Sequence, residues 1–558
     1  MRPKTDLPLS KEFTDDESYV ESLLEFSTSS TLLQTLCGGV HILDFFTRTP
    51  DLYSCILPEE WRNWFRLFEI EDILDLLLRE DLTQFLNPSP PQEWRSGPAP
   101  PHSLIAYIHS VRRHLLSRSF HPPASPPKLD HLTTIGMTAK KIHEVSHVAH
   151  FVSTLTSSLA AAHQPITHLI DFGSGHNYLG RALASPPYHE NIIAVESRPH
   201  VVAGAREIDI MAGLAEKPVV RRNKKAYRAA RAAGTVPDWE KDKARFAPPA
   251  AASSATEGPQ RARLETPPAG RGSVQYVEHR IQDGNLAAVI EQIAPAADAA
   301  TTPALMTISL HSCGNLSHHA LRTLSLNPAV RAVAVIGCCY NLLTERLGPS
   351  FKTPGLRHNH PRLSATNSAF DPHGFPMSAR FATYIPPGGG EEGIRLNITA
   401  RMMAVQAPRN WTKDSSEAFF TRHFYRALLQ RVFLEKGIVE APRGEGGGTY
   451  ARGAVEKIAG QGVGEGCSEE VKAMVAERVG TMTSDEVVGY GERFRERRKE
   501  LSVVWSLMAV SAGVAEALVV VDRWTWLREQ EGVKEAWVQP VFEYGESPRN
   551  LVVVGIKG

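Results

Sequence analysis

Thr167-His168-Leu169-Ile170-Asp171-Phe172-Gly173-Ser174-Gly175-His176-Asn177-Tyr178-Leu179-Gly180 reads as a short apolar strand, Thr167–Asp171, that runs straight into a glycine-rich turn. The strand ends at an acid, and the chain must then reverse sharply into a helix predicted over Tyr178–Ala184. Gly173 and Gly175 have no Cβ, so they tolerate positive φ and let the backbone approach a ligand closely. The free amides at the start of the following helix point into the same space and can bind a carboxylate or phosphate. Ile192–Glu196 then reads as a second apolar strand. Strand, glycine turn, helix and strand make the βαβ unit of a parallel sheet.

Outward from this unit the alternation continues. Val274–His279, Leu305–Leu310 and Val330–Ile336 are strand-like, with helices expected at Leu286–Ile293 and from Leu316. Ala536–Phe542 and Asn550–Ile556 read as a strand pair joined by a turn containing Pro548. Upstream, residues 1–120 are helical in pattern, notably Trp61–Leu82 and Ser103–Ser119, with proline-rich breaks at Asn87–Pro101 and His121–Lys128. Met137–Ala162 reads as a helix leading into the first strand. The expected organisation is therefore a helical region over 1–120 and an α/β core over 130–410. A helical extension follows over 411–530, with helices at Ser416–Lys436 and Ser468–Lys499, and a terminal strand pair over 531–558. A segment over 440–467 is glycine-rich, and 215–272 is an insertion.

Lys+Arg and Asp+Glu both total 61, so no global field points to nucleic acid or to an acidic partner. Charge is local: Lys217–Arg245 holds ten Lys or Arg against three Asp or Glu, a solvated loop or an RNA-binding arm. The six cysteines form no C-x-x-C pair, and the N-terminus has no apolar signal region; both suit a cytoplasmic or nuclear protein. Leu501–Val521 is long enough to span a membrane, but its serines and Glu516 favour a buried core helix, and no membrane partner is expected.

The glycine loop does not stand alone. Glu196 closes the second strand, where a carboxylate can take two ribose hydroxyls. Asp283 follows the third strand and can accept from an adenine amino group, with Gly284 leaving room for the ring. In adenosylmethionine enzymes of this fold such a loop holds the cofactor's amino-acid end. The candidate cofactor residues are thus Asp171, Gly173, Ser174, Gly175, Asn177, Tyr178, Glu196, Asp283 and Gly284. A nicotinamide fingerprint would need a third glycine, and Tyr178 stands there. A competing motif, His143-Glu144-Val145-Ser146-His147, matches H-E-x-x-H; on a helix its histidines could bind zinc with Glu144 as general base.

Several strings in order resemble one family: Lys140-Lys141-Ile142-His143-Glu144-Val145, the Asp171–Gly175 loop, Leu310-His311-Ser312-Cys313-Gly314-Asn315-Leu316-Ser317, Gly337-Cys338-Cys339-Tyr340, Gly374-Phe375-Pro376-Met377-Ser378 and Ser547-Pro548-Arg549-Asn550. Together they resemble the family of methyltransferase-like protein 25 and the ribosomal RNA adenine dimethylase domain-containing protein, from about Gly136 onward with the basic insertion unmatched. The resemblance implies a class I (Rossmann-like) methyltransferase sheet, with a helical N-terminal region and a helical insertion before the last two strands. It implies S-adenosyl-L-methionine as cofactor, moves His143 and Glu144 from zinc to the neighbourhood of that cofactor, and places Lys141 beside them. No metal is assigned.

Two departures matter. The family loop commonly continues Lys-Gly after Gly175; here it is His176-Asn177, which keeps open a non-catalytic scaffold on a degenerate fold. An adenine dimethylase would carry an Asn-Pro-Pro-Tyr-like motif after the fourth strand. His-Ser-Cys-Gly stands there instead, so that activity is not carried over. The acceptor, whether RNA, protein or a small molecule, would meet the ends of the fourth and fifth strands. The residues there are His311 as a possible base, Cys313, Asn315, Cys338, Cys339 and Tyr340. Cysteine nucleophilic catalysis at Cys313, Cys338 or Cys339 competes with plain packing of small apolar thiols.

Overall fold

The computed structural model describes residues 2–86, 93–125, 127–216, 272–293, 303–347, 370–438 and 469–558. Its centre is a seven-stranded sheet in the order β3-β2-β1-β4-β5-β7-β6. The strands are β1 (His168–Phe172), β2 (Ile192–Glu196), β3 (Val274–Glu278), β4 (Leu305–Ser312), β5 (Val330–Gly337), β6 (Val533–Pro540) and β7 (Leu551–Lys557). The first five are parallel. β7 runs antiparallel between β5 and β6, which is the class I methyltransferase arrangement.

The central strands are apolar because helices cover both of their faces. Alternate residues feed two separate cores. Leu169, Ile192, Ile308, Ala334 and Val554 pack under helices Ala139–Ala161 and Tyr178–Ala184. Ile170, Phe172, Ile193, Val333 and Val553 pack on the opposite face, together with the N-terminal helices and the long helix Arg497–Arg528. By length and composition that long helix could cross a membrane, yet 94% of its most apolar window is buried inside the fold. Ser506 Oγ donates to the Ser502 carbonyl at 2.7 Å, so a buried hydroxyl is satisfied within the helix itself.

Two expected helices are broken. Trp61–Leu82 is interrupted between Glu59–Arg66 and Ile70–Leu78, where Leu67 turns out to solvent. Ser468–Lys499 resolves into Glu469–Arg478 and Ser484–Phe494, followed by the start of the long helix. Helix Pro199–Met211, which follows β2, has no counterpart in the sequence reading. The basic stretch Lys217–Arg245 and the whole glycine-rich 440–467 segment lie outside the described residues.

Candidate functional site

The site is built over the carboxyl ends of β1, β2, β4 and β5. After β1 the chain turns with Gly173 at φ +69°, Gly175 at +56° and Asn177 at +55°, so three of five residues sit in the left-handed region. The amides of Gly173 and Ser174 both donate to the Val195 carbonyl, at 3.0 and 3.1 Å, which clips the loop to the end of β2. A Cβ on Gly173 would collide with Leu316, whereas the position above Gly175 is open. Ser174 Oγ is buried without a hydrogen-bond partner among the described residues.

Asn177 does not line this opening. Its side chain is fully buried and donates to Tyr276 Oη at 3.0 Å. Tyr276 donates to Asp209, and Asp209 pairs with the buried Arg181 at 2.8 Å. Arg181 in turn holds the His176 carbonyl at 2.9 Å. His176-Asn177 therefore supplies the left-handed turn and ties the loop to β3 and helix Pro199–Met211. Asparagine is among the few residues that enter this region readily. Tyr178 leans outward and donates to the Gly136 carbonyl at 2.9 Å.

Glu196 is nearly buried at the end of β2. Oε2 accepts the Gly175 amide at 3.2 Å, and Oε1 accepts the amides of Ser197 and Arg198 at 2.9 and 3.1 Å. The Arg198 guanidinium grips both oxygens, at 3.0 and 3.1 Å. Burial opposes the charge, but the bonds from Arg198 and the amides win, and the pKa is lowered. Asp171 has the reverse fate. Burial and the negative Glu196 raise it to about 7, with Lys141 pulling weakly the other way. Asp283 is exposed and caps the Asn285 amide at 2.8 Å. Gly284 is required by the helix Leu316–Leu326, since a Cβ there would strike Arg322 and the His319 carbonyl.

On the other side of β1, Thr138 Oγ1 accepts the Lys141 amide and starts helix Ala139–Ala161. That start delivers Glu144 to His311, with Oε2 2.9 Å from Nε2, and Lys141 Nζ lies 3.1 Å from the same oxygen. His311 sits at a β-bulge of β4 with φ +66°, an unusual backbone for histidine that re-aims its ring. Burial raises the Glu144 pKa, but the His311 bond and charge outweigh it and hold the carboxyl at about 2.

Residues 140–346 match the sequence model of a family described as "Methyltransferase domain". Completed by β6 and β7, this region has the fold of a methyltransferase domain. The chain is also similar to "Probable methyltransferase-like protein 25" from Mus musculus, 25% identical over 256 residues, and from Homo sapiens, 26% identical over 254 residues. Each match takes in 45% of this chain and 37% of the relative, so the chain matches little more than a third of their length. No solved structure matches it significantly.

Within the methyltransferase domain, several expected roles change. H-E-x-x-H is no zinc site here. His143 Nε2 accepts the Glu543 amide at 3.1 Å, Glu144 is committed to His311, and among the described residues no third donor joins His143 and His147. His147 packs on the rings of Phe120 and His143. Asn315 does not serve an acceptor. It clamps Thr344 and Asp371, at 2.6 and 3.0 Å from Nδ2, while Oδ1 takes the Thr344 amide. Tyr340 is buried, and its hydroxyl donates to Glu516 at 3.1 Å.

Cys313, Cys338 and Cys339 converge at the strand ends, partly exposed and unoxidised. Thiol hydrogen bonding from Cys338 and Cys339 lowers the Cys313 pKa against its burial, while Cys338 is raised. Arg198, the partner of Glu196, was missed by the sequence reading. The only signal was its place two residues past the acid.

Proposed function

We propose that this chain is an S-adenosyl-L-methionine-dependent methyltransferase, with the cofactor held by the β1 loop and the end of β2. The observation that carries this is the paired cradle: Gly173 and Gly175 at positive φ, with the Glu196 carboxylate closed onto the Gly175 amide. The residues present fit the group. Space is open above Gly175, the buried Ser174 hydroxyl lacks a partner among the described residues, and the Glu196 carboxylate supplies anionic charge for a cationic ligand. Glu196 would take the ribose hydroxyls in place of the Arg198 guanidinium, which itself stands exposed to solvent. The exposed Asp283 would accept from the adenine amino group.

The cofactor supplies an electrophilic methyl group, and the protein's part is to position an acceptor and take its proton. His311 is the group for that proton. Glu144 fixes its orientation and would stabilise the charged ring, the division of labour of a histidine–carboxylate pair.

Titration calorimetry with S-adenosylmethionine tests the reading. Binding in the micromolar range is expected, with Glu196→Gln losing about ten- to a hundredfold, the scale of a charge-assisted hydrogen bond. Arg198→Ala should keep or tighten binding, because it frees the carboxylate. A folded protein that takes up no cofactor would leave the scaffold reading in place.

A further inference from the structure

The strand ends of the methyltransferase domain bring three sulfurs together. Cys313 Sγ lies 3.4 Å from Cys338 and 3.3 Å from Cys339, and Cys338 and Cys339 are 3.4 Å apart. This nearly equilateral triangle is far too wide for a disulfide, at about 2.05 Å. It is within about half an ångström of the S···S edge of a tetrahedral zinc thiolate, about 3.8 Å for Zn–S bonds of about 2.3 Å.

We propose that Cys313, Cys338 and Cys339 together bind one thiophilic divalent cation of the zinc class. The triangle is held by the sheet, not by a mobile loop. Ser312 pairs with Gly337 in the β4–β5 register, the Gly314 amide donates to the Cys339 carbonyl at 3.2 Å, and the Leu342 amide donates to the same carbonyl at 3.0 Å. Gly314 itself admits no Cβ, which would strike the Leu342 backbone, so the two strand ends close tightly on each other.

The charge balance supports the same occupant. Three thiolates around a divalent ion carry one net negative charge, and each ligating thiol gives its proton to solvent. Arg523 lies directly against Gly337, beside Cys338, and is almost wholly buried. Its Nε has no hydrogen-bond partner among the described residues. The neighbouring Asp522 is spent on the Met377 and Ser378 amides and the Ser378 hydroxyl. An anionic metal–thiolate group answers that buried cation. Among the described residues no further His, Cys, Asp or Glu donor reaches the three sulfurs, so one coordination position stays open. An open fourth position is the pattern of a working metal site.

The proposal stands apart from cofactor binding, and its test needs no methyl transfer. Reduced full-length protein is titrated with Co2+ under anaerobic conditions, and sulfur-to-cobalt charge transfer is followed in the near ultraviolet. Uptake of one equivalent, with tetrahedral ligand-field bands and displacement by Zn2+, is expected. Cys313→Ser and Cys338→Ser should each weaken uptake about a hundredfold or more, and Cys55→Ser, an exposed thiol elsewhere, should not. Circular dichroism checks that each variant is folded. Alkylation mapping is the second measurement: Zn2+ should protect Cys313, Cys338 and Cys339 while Cys55 still reacts. No cobalt uptake by the folded reduced protein, uptake that survives both substitutions, or a Cys–Cys disulfide in their place would overturn it.

Discussion

Asp171 ends a central strand with its carboxyl fully enclosed, and this has a measurable signature. Its pKa is raised to about 7, so the folded protein keeps a proton that the unfolded chain releases in the ordinary carboxylate range. Between those limits the native state binds more protons, and stability must fall as pH rises through about 7. Asp171→Asn removes that slope. Urea unfolding from pH 5 to pH 8 should show a steeper loss of stability in the parent than in the variant. Equal slopes would mean that the burial of Asp171 has no thermodynamic weight.

At the same scale, much of the geometry of the β1 loop was legible. Gly173, Gly175 and Glu196 declare themselves because a strand followed by a positive-φ turn needs those residue types in that order. The Glu144–His311 pair was only half visible. Both residues stood in family-like strings, but their meeting depends on a bulge in β4 that local pattern does not encode. The thiol triangle was hidden for the same reason. Cys313 and Cys338 become neighbours only through the β4–β5 register.

Elements repeat the lesson. The strands β1, β2 and β5 were readable within a residue or so because buried parallel strands must be continuous and apolar. The helices were over-extended where charged periodic sequence runs on without proline. The break before Ser484 did carry a signal, since Thr483 accepts the Glu486 amide at 3.2 Å in a Thr-x-x-Glu pattern. Contacts between the helices were not readable, unlike the pairing of the last two strands. Tyr107, on helix His102–Arg113, bonds Ser511 on the long helix at 2.6 Å, with both groups buried. Tyr107→Phe should cost about 1 kcal/mol of unfolding free energy, the usual net worth of one such bond. The urea midpoint should shift with no change in slope. An unchanged midpoint would show that the two helices are held by apolar packing alone.

The whole molecule is joined at Glu516, in the middle of the long helix. Its carboxylate meets Arg118 at 2.6 Å, from the segment after the N-terminal helices, and Arg549 from the β6–β7 connection, and it accepts from Tyr340 after β5. Burial opposes its ionisation, and the two guanidinium groups override this to lower its pKa. Glu516→Gln would leave two buried cations short of a partner, and about 3–5 kcal/mol of stability should go with it. Guanidinium denaturation is the measurement. A loss under about 1 kcal/mol would mean that water reaches the cluster.

The position of β7 also sets a timetable. It follows β6 in sequence but lies between β5 and β6. Before residues 551–557 insert, β5 and β6 each present to solvent the hydrogen-bonding edge that β7 later takes. The folding chain therefore carries two aggregation-prone edges until β7 inserts between them.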